Sequence, residues 1–302
     1  MSWLWIGAAR RLVLAAAAVV TLLAGPGVAQ ERKPGPIGPQ TGPYREQEWF
    51  IAWERAERTY LAHAKIFRPE GEQRQPLLLI AHGAPRGGEN ERPRMNPNWA
   101  DTQARWFTAQ GFVVVVPMRR GYGRSDGPYS ESAGKCEDPD YFNQSLTTAN
   151  DTQGVLRHMV KEPYVDGSRI VVAGQSAGGW GTLGVVSRNP EGVVAYINFA
   201  GGRGNTAPGT VCTPSRLVEA ATRFGQTAKV PGIWLYTSND SFFNSDLSRA
   251  MFAGYTAAGA PAEYKAMGSF GSDGHSLFTQ TTGMNRWTPV VTEFLRAQKL
   301  MP

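Results

Sequence analysis

Short segments of strand-like pattern and longer amphipathic segments alternate along this chain. Two segments near the start, residues 47–53 and 59–67, alternate apolar and polar residues, which is typical of antiparallel strands. Six later segments have the pattern of buried parallel strands: 77–80, 112–116, 169–173, 193–199, 231–236 and 262–267. The pattern therefore predicts an eight-stranded, mostly parallel sheet.

Segments of helical spacing lie between these strands: 98–110, 145–161, 216–224, 244–257 and 286–299. Strands that alternate with helices indicate an α/β fold with helices on both faces of the sheet. Ligands of such sheets bind outside the carboxyl ends of the strands, so we expect the chemistry just after each strand. A length of 302 residues, 41% hydrophobic, fits one domain of this kind, which we place at residues 47–302.

Residues 1–29 have the pattern of a secretory signal peptide. Arg10 and Arg11 precede an apolar run over residues 12–23, and small residues stand three and one positions before a cut after Ala29. The run is shorter than the roughly 20 residues of a membrane span, although an uncleaved anchor is the alternative. Residues 30–46 are rich in glycine and proline and indicate an extended tether. We therefore expect a secreted or periplasmic protein without a stable membrane span after cleavage.

Charge and cysteine content narrow the classes of function. The formal charge is +6, of which two arginines lie in the signal segment, and no dense basic block indicates nucleic-acid binding. No nicotinamide, flavin or metal signature appears, so we expect no cofactor and no metal. Export favours a bridge between Cys136 and Cys212, the only two cysteines, with two buried thiols as the alternative.

The strand over residues 169–173 runs into Gly174-Gln175-Ser176-Ala177-Gly178, a G-x-S-x-G motif. A serine at a sharp strand-to-helix turn needs small residues two positions to either side, because the backbone doubles back there. The turn exposes the serine hydroxyl above the sheet and directs the N–H of Ala177 into the same space. An ordinary glycine-rich turn is the alternative interpretation.

A second N–H donor is expected from the loop His82-Gly83-Ala84-Pro85, which follows the first buried strand. Glycine lets the backbone approach a substrate, so we predict an oxyanion hole formed by the amides of Ala84 and Ala177. His82 itself fits a structural role that orients this loop.

An acid and a base follow two later strands. Asp240 comes soon after the strand 231–236, with Asp246 as a second choice, and His275 follows the last strand. The order Ser176, Asp240, His275 is the order expected for a catalytic triad in this architecture. We therefore predict these three residues as nucleophile, orienting acid and base.

The segments HGAP, RRGYGRSDG, GQSAG, SND and DGH each resemble an element of the α/β-hydrolases, in the expected order, and the resemblance runs over residues 48–300. Within that superfamily the chain resembles the dienelactone hydrolase and prolyl-oligopeptidase-like branch, whose members hydrolyse esters, lactones or peptides. The resemblance implies the triad and the two backbone donors named above. Serine at position 176 departs from the cysteine-nucleophile variant of the dienelactone branch.

Two insertions, residues 128–143 and 201–230, leave the carboxyl ends of strands, and each carries one cysteine. A Cys136–Cys212 bridge would join them as short lids near Ser176. We expect an open cleft with Tyr122, Trp180 and Phe242 at its rim. The acidic residues of the first insertion are expected to be solvated, and phosphate binding is disfavoured because no helix follows the preceding glycines.

The sequence therefore predicts an exported serine hydrolase that cleaves small carboxylic esters or lactones through an acyl-enzyme on Ser176. A serine exopeptidase or aminoacyl-peptidase is the alternative within hydrolysis. We expect it less, because such enzymes usually carry a large amino-terminal domain and there is no room for one before Glu48. A non-catalytic binding protein on a hydrolase scaffold is the alternative from another class. The sequence leaves the oligomeric state open.

Overall fold

The computed structural model describes residues 1–2 and 32–301 of the chain. Nearly all of the predicted signal peptide lies outside the described residues. Residues 33–302 form one compact unit. Among the described helices, none is long and apolar enough to cross a membrane.

Eleven strands and six α-helices are described in this unit. The strands are β1 (Gly35–Thr41), β2 (Glu46–Arg55), β3 (Arg58–Phe67), β4 (Gln75–Ala81), β5 (Val113–Pro117), β6 (Val165–Gln175), β7 (Val193–Phe199), β8 (Asn205–Ala207), β9 (Thr210–Val211), β10 (Gly232–Tyr236) and β11 (Ala262–Ala266). The helices are α1 (Asp101–Ala109), α2 (Tyr141–Met159), α3 (Ala177–Val186), α4 (Pro214–Gly225), α5 (Ser245–Ala257) and α6 (Met284–Ala297). Short 3-10 helices span Gly88–Arg94, Pro97–Ala100, Gly274–Ser276 and Thr281–Gly283.

Nine of the described strands form a single sheet in the order β1-β2-β3-β5-β4-β6-β7-β10-β11, while β8 and β9 pair as a small hairpin. The pairs β1–β2, β2–β3 and β3–β5 are antiparallel, and the pairs from β5 to β11 are parallel. This confirms the predicted α/β sheet with its antiparallel opening. All eight strands read from the sequence are present.

The ninth strand, β1, lies in the segment predicted as a tether. Gly35 pairs with Phe50 and Thr41 with Glu46 across to β2. The strand contains two prolines, which lack an N–H to donate and are therefore confined to edge strands or bulges. The tether prediction was wrong for this part, because a proline-rich segment can still pair along an exposed edge. The compact unit begins at Lys33 and not at Gln47.

Alternate residues of the central strands pack into two separate layers. On β6, Ile170 and Val172 face the layer that holds α2 and α3, whereas Val171 and Ala173 face the layer that holds α1 and α6. Both faces of the strand are therefore covered. This is why the sequence shows a continuous apolar run there and not an alternation.

A disulfide bond joins the two insertions. Cys136 and Cys212 are bonded, with their Cα atoms 4.8 Å apart, as the sequence predicts. Hydrogen bonds flank the bridge: the hydroxyl of Thr213 donates to the Cys136 carbonyl at 2.8 Å, and the hydroxyl of Tyr141 donates to the Cys212 carbonyl at 2.5 Å. The first insertion is thereby fixed to the segment that follows the β8–β9 hairpin.

Replacing both cysteines by serine should lower the free energy of unfolding by about 2–4 kcal/mol, because the bridge closes a loop across 76 residues and restricts the unfolded chain. Urea denaturation of the wild type and of Cys136→Ser/Cys212→Ser, with and without reductant, measures the difference. The double variant serves as its own control, since reductant should leave its stability unchanged. Two free thiols by intact mass, or equal stabilities, would contradict the prediction.

Candidate active site

Ser176 lies at the sharp turn between β6 and α3. Its backbone angles are φ 55° and ψ −121°, a conformation that a residue with a Cβ rarely adopts. The turn is held by neighbouring backbone: the Ser176 N–H donates to the Phe199 carbonyl at 3.0 Å, and the Ser176 carbonyl accepts from Gly202 at 3.2 Å. Backbone hydrogen bonds from the end of β7 and from the loop after it therefore hold Ser176 in this strained conformation.

The two glycines of the motif are required by close approach. A Cβ on Gly174 would collide with the backbone of Gly178, and a Cβ on Gly178 would collide with the backbone of Ala81 and His82. The strand-to-helix turn thus closes against the end of β4. This is the local packing that the G-x-S-x-G spacing predicts.

Asp240 and His275 are hydrogen-bonded to each other. The His275 Nδ1 atom lies 3.0 Å from Oδ2 and 3.1 Å from Oδ1 of Asp240. The same carboxylate accepts from the backbone N–H groups of Phe242 and Phe243 at 2.8 and 2.9 Å, and its side chain is fully buried. An ionised carboxylate only accepts, so the proton of the neutral imidazole sits on Nδ1 and leaves Nε2 as a free base. Asp246, the second choice, is exposed on α5.

Ser176 and His275 open into one cleft of about 650 Å³. Ala84 and Ala177, the predicted backbone donors, line the same cleft, as does Phe242, whose ring contacts His275 at a centroid distance of 4.6 Å. The structure therefore brings Ser176, His275 and the two predicted backbone donors together at the carboxyl ends of β4, β6 and β11. Among the described residues, no cluster of three or more histidine, cysteine or acidic side chains could hold a metal ion.

Trp180 does not lie at the rim of this cleft. It is completely buried on α3, where its indole N–H donates to the Tyr141 carbonyl at 3.1 Å. The prediction failed because the first turn of α3 carries Trp180 away from the cleft, into the core between α2 and α4. Tyr122 lines the cleft, but only 1% of its surface is exposed, so the prediction of an exposed rim residue was wrong for it as well.

His82 orients the loop that carries Ala84, as the sequence suggests. Its Nδ1 atom lies 2.7 Å from the Gly83 carbonyl, and its Nε2 atom accepts from the Arg119 N–H at 3.2 Å. Burial lowers the pKa of His82 well below its usual value. The ring is therefore neutral and acts as a fixed link between the ends of β4 and β5.

Glu131 was expected to be solvated, and the structure corrects this. It is buried beside the cleft, paired with Arg119 and Arg203, and it accepts from the Tyr122 hydroxyl at 3.1 Å. Burial alone would raise the pKa of Glu131, but the two guanidinium groups overcome that effect and hold it far below its usual value. The loop around Glu131 has no periodic pattern, so nothing in the sequence distinguishes this acid from its exposed neighbours.

Asp273 is a second residue that the sequence analysis did not assign. Its carboxylate accepts from the backbone N–H of His275 at 3.0 Å, from the Ser241 hydroxyl at 2.8 Å and from Arg86 at 2.7 Å. Burial opposes ionisation, but these donors lower the pKa of Asp273 to about 2. Asp273 therefore ties the loop that carries His275 to the loop that carries Asp240. The sequence signal that could have identified Asp273 is its position two residues before His275, where it caps a short 3-10 helix.

Sequence comparison finds a partial match to one family. The model of the prolyl oligopeptidase family matches residues 98–201, which include the Ser176 turn. Over 129 residues the chain is 27% identical to dipeptidyl-peptidase 5 of Porphyromonas gingivalis, an alignment that covers 43% of this chain and 17% of that protein. The match therefore supports the nucleophile region and leaves most of that relative unmatched.

Solved structures of both peptidases and esterases share the fold. An acylaminoacyl peptidase of Pyrococcus horikoshii superposes with a TM-score of 0.58 at 15% identity, over 85% of this chain and 42% of that one. An acetyl xylan esterase from Paenibacillus sp. R4 superposes with a TM-score of 0.59 at 15% identity, over 88% of each chain. The matches thus span less than half of either peptidase and most of the esterase.

The mostly parallel sheet, with a strained serine turn after its central strand, is the α/β-hydrolase fold. Residues 98–201 are similar to the prolyl oligopeptidase family, and a putative dienelactone hydrolase from Klebsiella pneumoniae shares the fold with a TM-score of 0.51 at 16% identity.

Glu131→Gln should lower the free energy of unfolding by roughly 3–5 kcal/mol, because two buried guanidinium groups would lose their common counter-charge. Urea denaturation followed by tryptophan fluorescence measures the change. Glu89→Gln is the matched control: that side chain pairs with Arg92 but is 83% exposed, so its loss should cost less than about 1 kcal/mol. Equal, small effects of the two substitutions would show that the Glu131 cluster does not stabilise the fold.

Proposed function

We propose that this protein is a hydrolase that cleaves carboxylic esters or lactones through an acyl-enzyme on Ser176, with His275 as general base and Asp240 as its orienting acid. The observation that carries the proposal is the Asp240–His275 hydrogen bond beside a serine held in a strained turn within one cleft. Such a turn costs of order 1–3 kcal/mol and persists only where the surroundings impose it, which is typical of functional sites.

The proposed reaction begins when His275 Nε2 removes the Ser176 hydroxyl proton as the serine oxygen attacks the ester carbonyl carbon. Asp240 stabilises the resulting imidazolium. The imidazolium then gives its proton to the leaving alkoxide as the ester C–O bond breaks. Water, deprotonated by the same imidazole, then attacks the carbonyl carbon of the acyl-enzyme. The bond between that carbon and the Ser176 oxygen breaks, the acid leaves, and the imidazolium returns its proton to the Ser176 oxygen.

The negative charge that develops on the carbonyl oxygen needs donors that are already in place. Ala177 is the first residue of α3, and the N–H groups of the first helical turn lack acceptors within the helix. Ala84 follows β4, in the loop that His82 holds, and lines the same cleft as Ser176. We assign these two amides to the oxyanion hole.

The charges of the cleft support an ester or lactone over a peptide with a free amino terminus. Its charged lining residues among those described are Arg86, Arg92 and Arg203, and no aspartate or glutamate joins them. A dipeptidyl-peptidase or aminopeptidase binds a substrate ammonium group, for which a carboxylate is the strongest acceptor. A peptidase for blocked amino termini would not need one, and it is the second candidate because of the family match.

We further propose that the protein is exported and works in the periplasm or outside the cell. Residues 1–29 have the pattern of a cleavable signal peptide, and the Cys136–Cys212 disulfide suits an oxidising compartment.

Ser176→Ala should lower kcat/KM for p-nitrophenyl acetate or butyrate by a thousandfold or more, because the nucleophile is lost. A fluorophosphonate probe should label the wild type at Ser176 and leave the variant unlabelled. Ser132→Ala, at an exposed serine of the first insertion, is the control and should keep both signals. A Ser176→Ala variant with near-normal turnover would refute the proposed nucleophile. Faster cleavage of N-acetyl-aminoacyl anilides than of any ester would favour the peptidase.

Expression with the full amino terminus should give a periplasmic or secreted protein that begins at Gln30, because the cut is predicted after Ala29. Amino-terminal sequencing of the fractionated protein tests this. A variant with Arg10 and Arg11 replaced by glutamate should accumulate in the cytoplasm with its leader intact. Wild-type protein that keeps residues 1–29 would contradict the cleavage.

A further inference from the structure

One carboxylate oxygen of Asp273 binds the backbone beside both members of the proposed acid–base pair. Its Oδ1 atom accepts from the Ser241 N–H at 3.1 Å and from the His275 N–H at 3.0 Å. Ser241 directly follows Asp240 in the chain, and His275 is the proposed base itself. The backbone segments that carry the acid and the base are therefore held against a single atom.

The second carboxylate oxygen of Asp273 extends this link to a third loop. Oδ2 accepts from the Ser241 hydroxyl at 2.8 Å and from Arg86 Nη2 at 2.7 Å. Arg86 comes two residues after Ala84, in the loop that follows β4. One side chain thus joins the loops after β4, β10 and β11, which carry a proposed oxyanion-hole donor, the acid and the base.

Uncharged hydrogen bonds also join two of these loops. The Asn239 amide donates to the Phe270 and Gly271 carbonyls, both at 3.1 Å, and accepts from the Phe270 N–H at 2.8 Å. These bonds fix the course of the loop after β11 before it reaches Asp273. What Asp273 adds is a hold on the His275 backbone, a link to the loop after β4, and a charge.

The ion pair of Arg86 and Asp273 is too exposed to contribute much to the stability of the fold, since the side chain of Arg86 is 61% exposed. The pair nevertheless lies close to the proposed base. The Arg86 guanidinium is 5.1 Å from the centre of the Phe242 ring, and the Phe242 ring is 4.6 Å from the His275 ring. Both charges of the pair are therefore near the imidazole, which becomes positive during the proposed reaction.

Other titratable groups also lie near this imidazole. Those that bind His275 or line its cleft, among the described residues, are Asp240, Arg92, Arg203, Tyr122 and Tyr129. A substitution at Arg86 or Asp273 leaves all of them in place. A change in the pH dependence of such a variant therefore comes from the pair itself.

We infer that Asp273 is a positioning residue for the proposed reaction: its carboxylate holds His275 in place against Asp240, and Arg86 balances the charge of that carboxylate beside the base. The inference rests on the proposed function and adds two residues to its site. Asp273 acts through His275, without contact to the reacting atoms.

The opposite charges of the pair allow a test with opposite expected signs. Protonated His275 cannot act as a base, so kcat/KM for p-nitrophenyl acetate, measured from pH 5 to pH 9, should fall on the acid side. Asp273→Asn leaves Arg86 without its counter-charge, which disfavours the imidazolium, so this acid limb should move to lower pH by about half a unit. Arg86→Gln leaves the carboxylate uncompensated and should move the limb to higher pH. The double variant should return it to the wild-type position.

Positioning by the carboxylate is measured at the pH optimum. Asp273→Ala removes the acceptor of the Ser241 and His275 N–H groups, so it should lower kcat about tenfold or more while KM changes less than about twofold. Glu89→Gln is the matched control, because it removes the counter-charge of Arg92, another arginine of the cleft lining. It should change neither kcat nor the acid limb.

An unchanged kcat in Asp273→Ala overturns the inference. So do single variants whose acid limbs stay in place or move in the same direction, because the pair would then act through the fold alone. If Asp273→Ala does not fold, the opposite shifts of Asp273→Asn and Arg86→Gln decide. If no ester is cleaved and the fluorophosphonate probe does not label Ser176, the proposed function itself fails. Labelling and ester cleavage without these effects defeat only the inference about Asp273 and Arg86.

Discussion

The positive-φ backbone of Ser176 is the constraint on which the arrangement of this protein depends. A residue with a Cβ holds this conformation only because packing and hydrogen bonds from β7 impose it. The turn also forces α3 to start directly against the end of β4, where only glycine fits at position 178. The helix then passes through the core, packed so closely on α2 that a Cβ on Gly181 or Gly184 would collide with it. One strained residue thus sets the packing of the central sheet and of two helices.

Buried carboxylates join the loops that surround this turn. Asp240 accepts from His275 and from its own loop, Asp273 ties that loop to the loop of His275, and Glu131 ties the first insertion to the ends of β5 and β7. Each carboxylate accepts several donors, at least one of them from a segment that is distant in sequence. The strand ends place the site residues at one edge of the sheet, and these three acids fix the positions of the loops around them. The disulfide reinforces the same connection at the outer side of the insertions.

Much of this arrangement can be predicted from the sequence, for reasons visible in particular residues. Val171 and Val172 face opposite layers, so the nucleophile strand shows as a continuous apolar run. The small residues around Ser176 are dictated by local backbone geometry, and Asp240 and His275 follow strands whose carboxyl ends must meet at one edge. Trp180 could not be placed in the same way, because which face of α3 meets the cleft depends on how the helix packs on its neighbours. The edge strand β1 was missed because its prolines and glycines resemble those of an unpaired tether.

By itself the sequence determined the α/β architecture, the strained serine turn, and the order in which acid and base follow their strands, since all of these depend on local backbone preferences and burial patterns. Only the tertiary structure decided that Glu131 is buried between two arginines and that Asp273 links the two loops of the site. The physical reason is that the sequence around a charged loop residue looks the same whether that residue is solvated or paired with a buried partner. Its partner comes from a distant segment, and only the packed fold brings the two together.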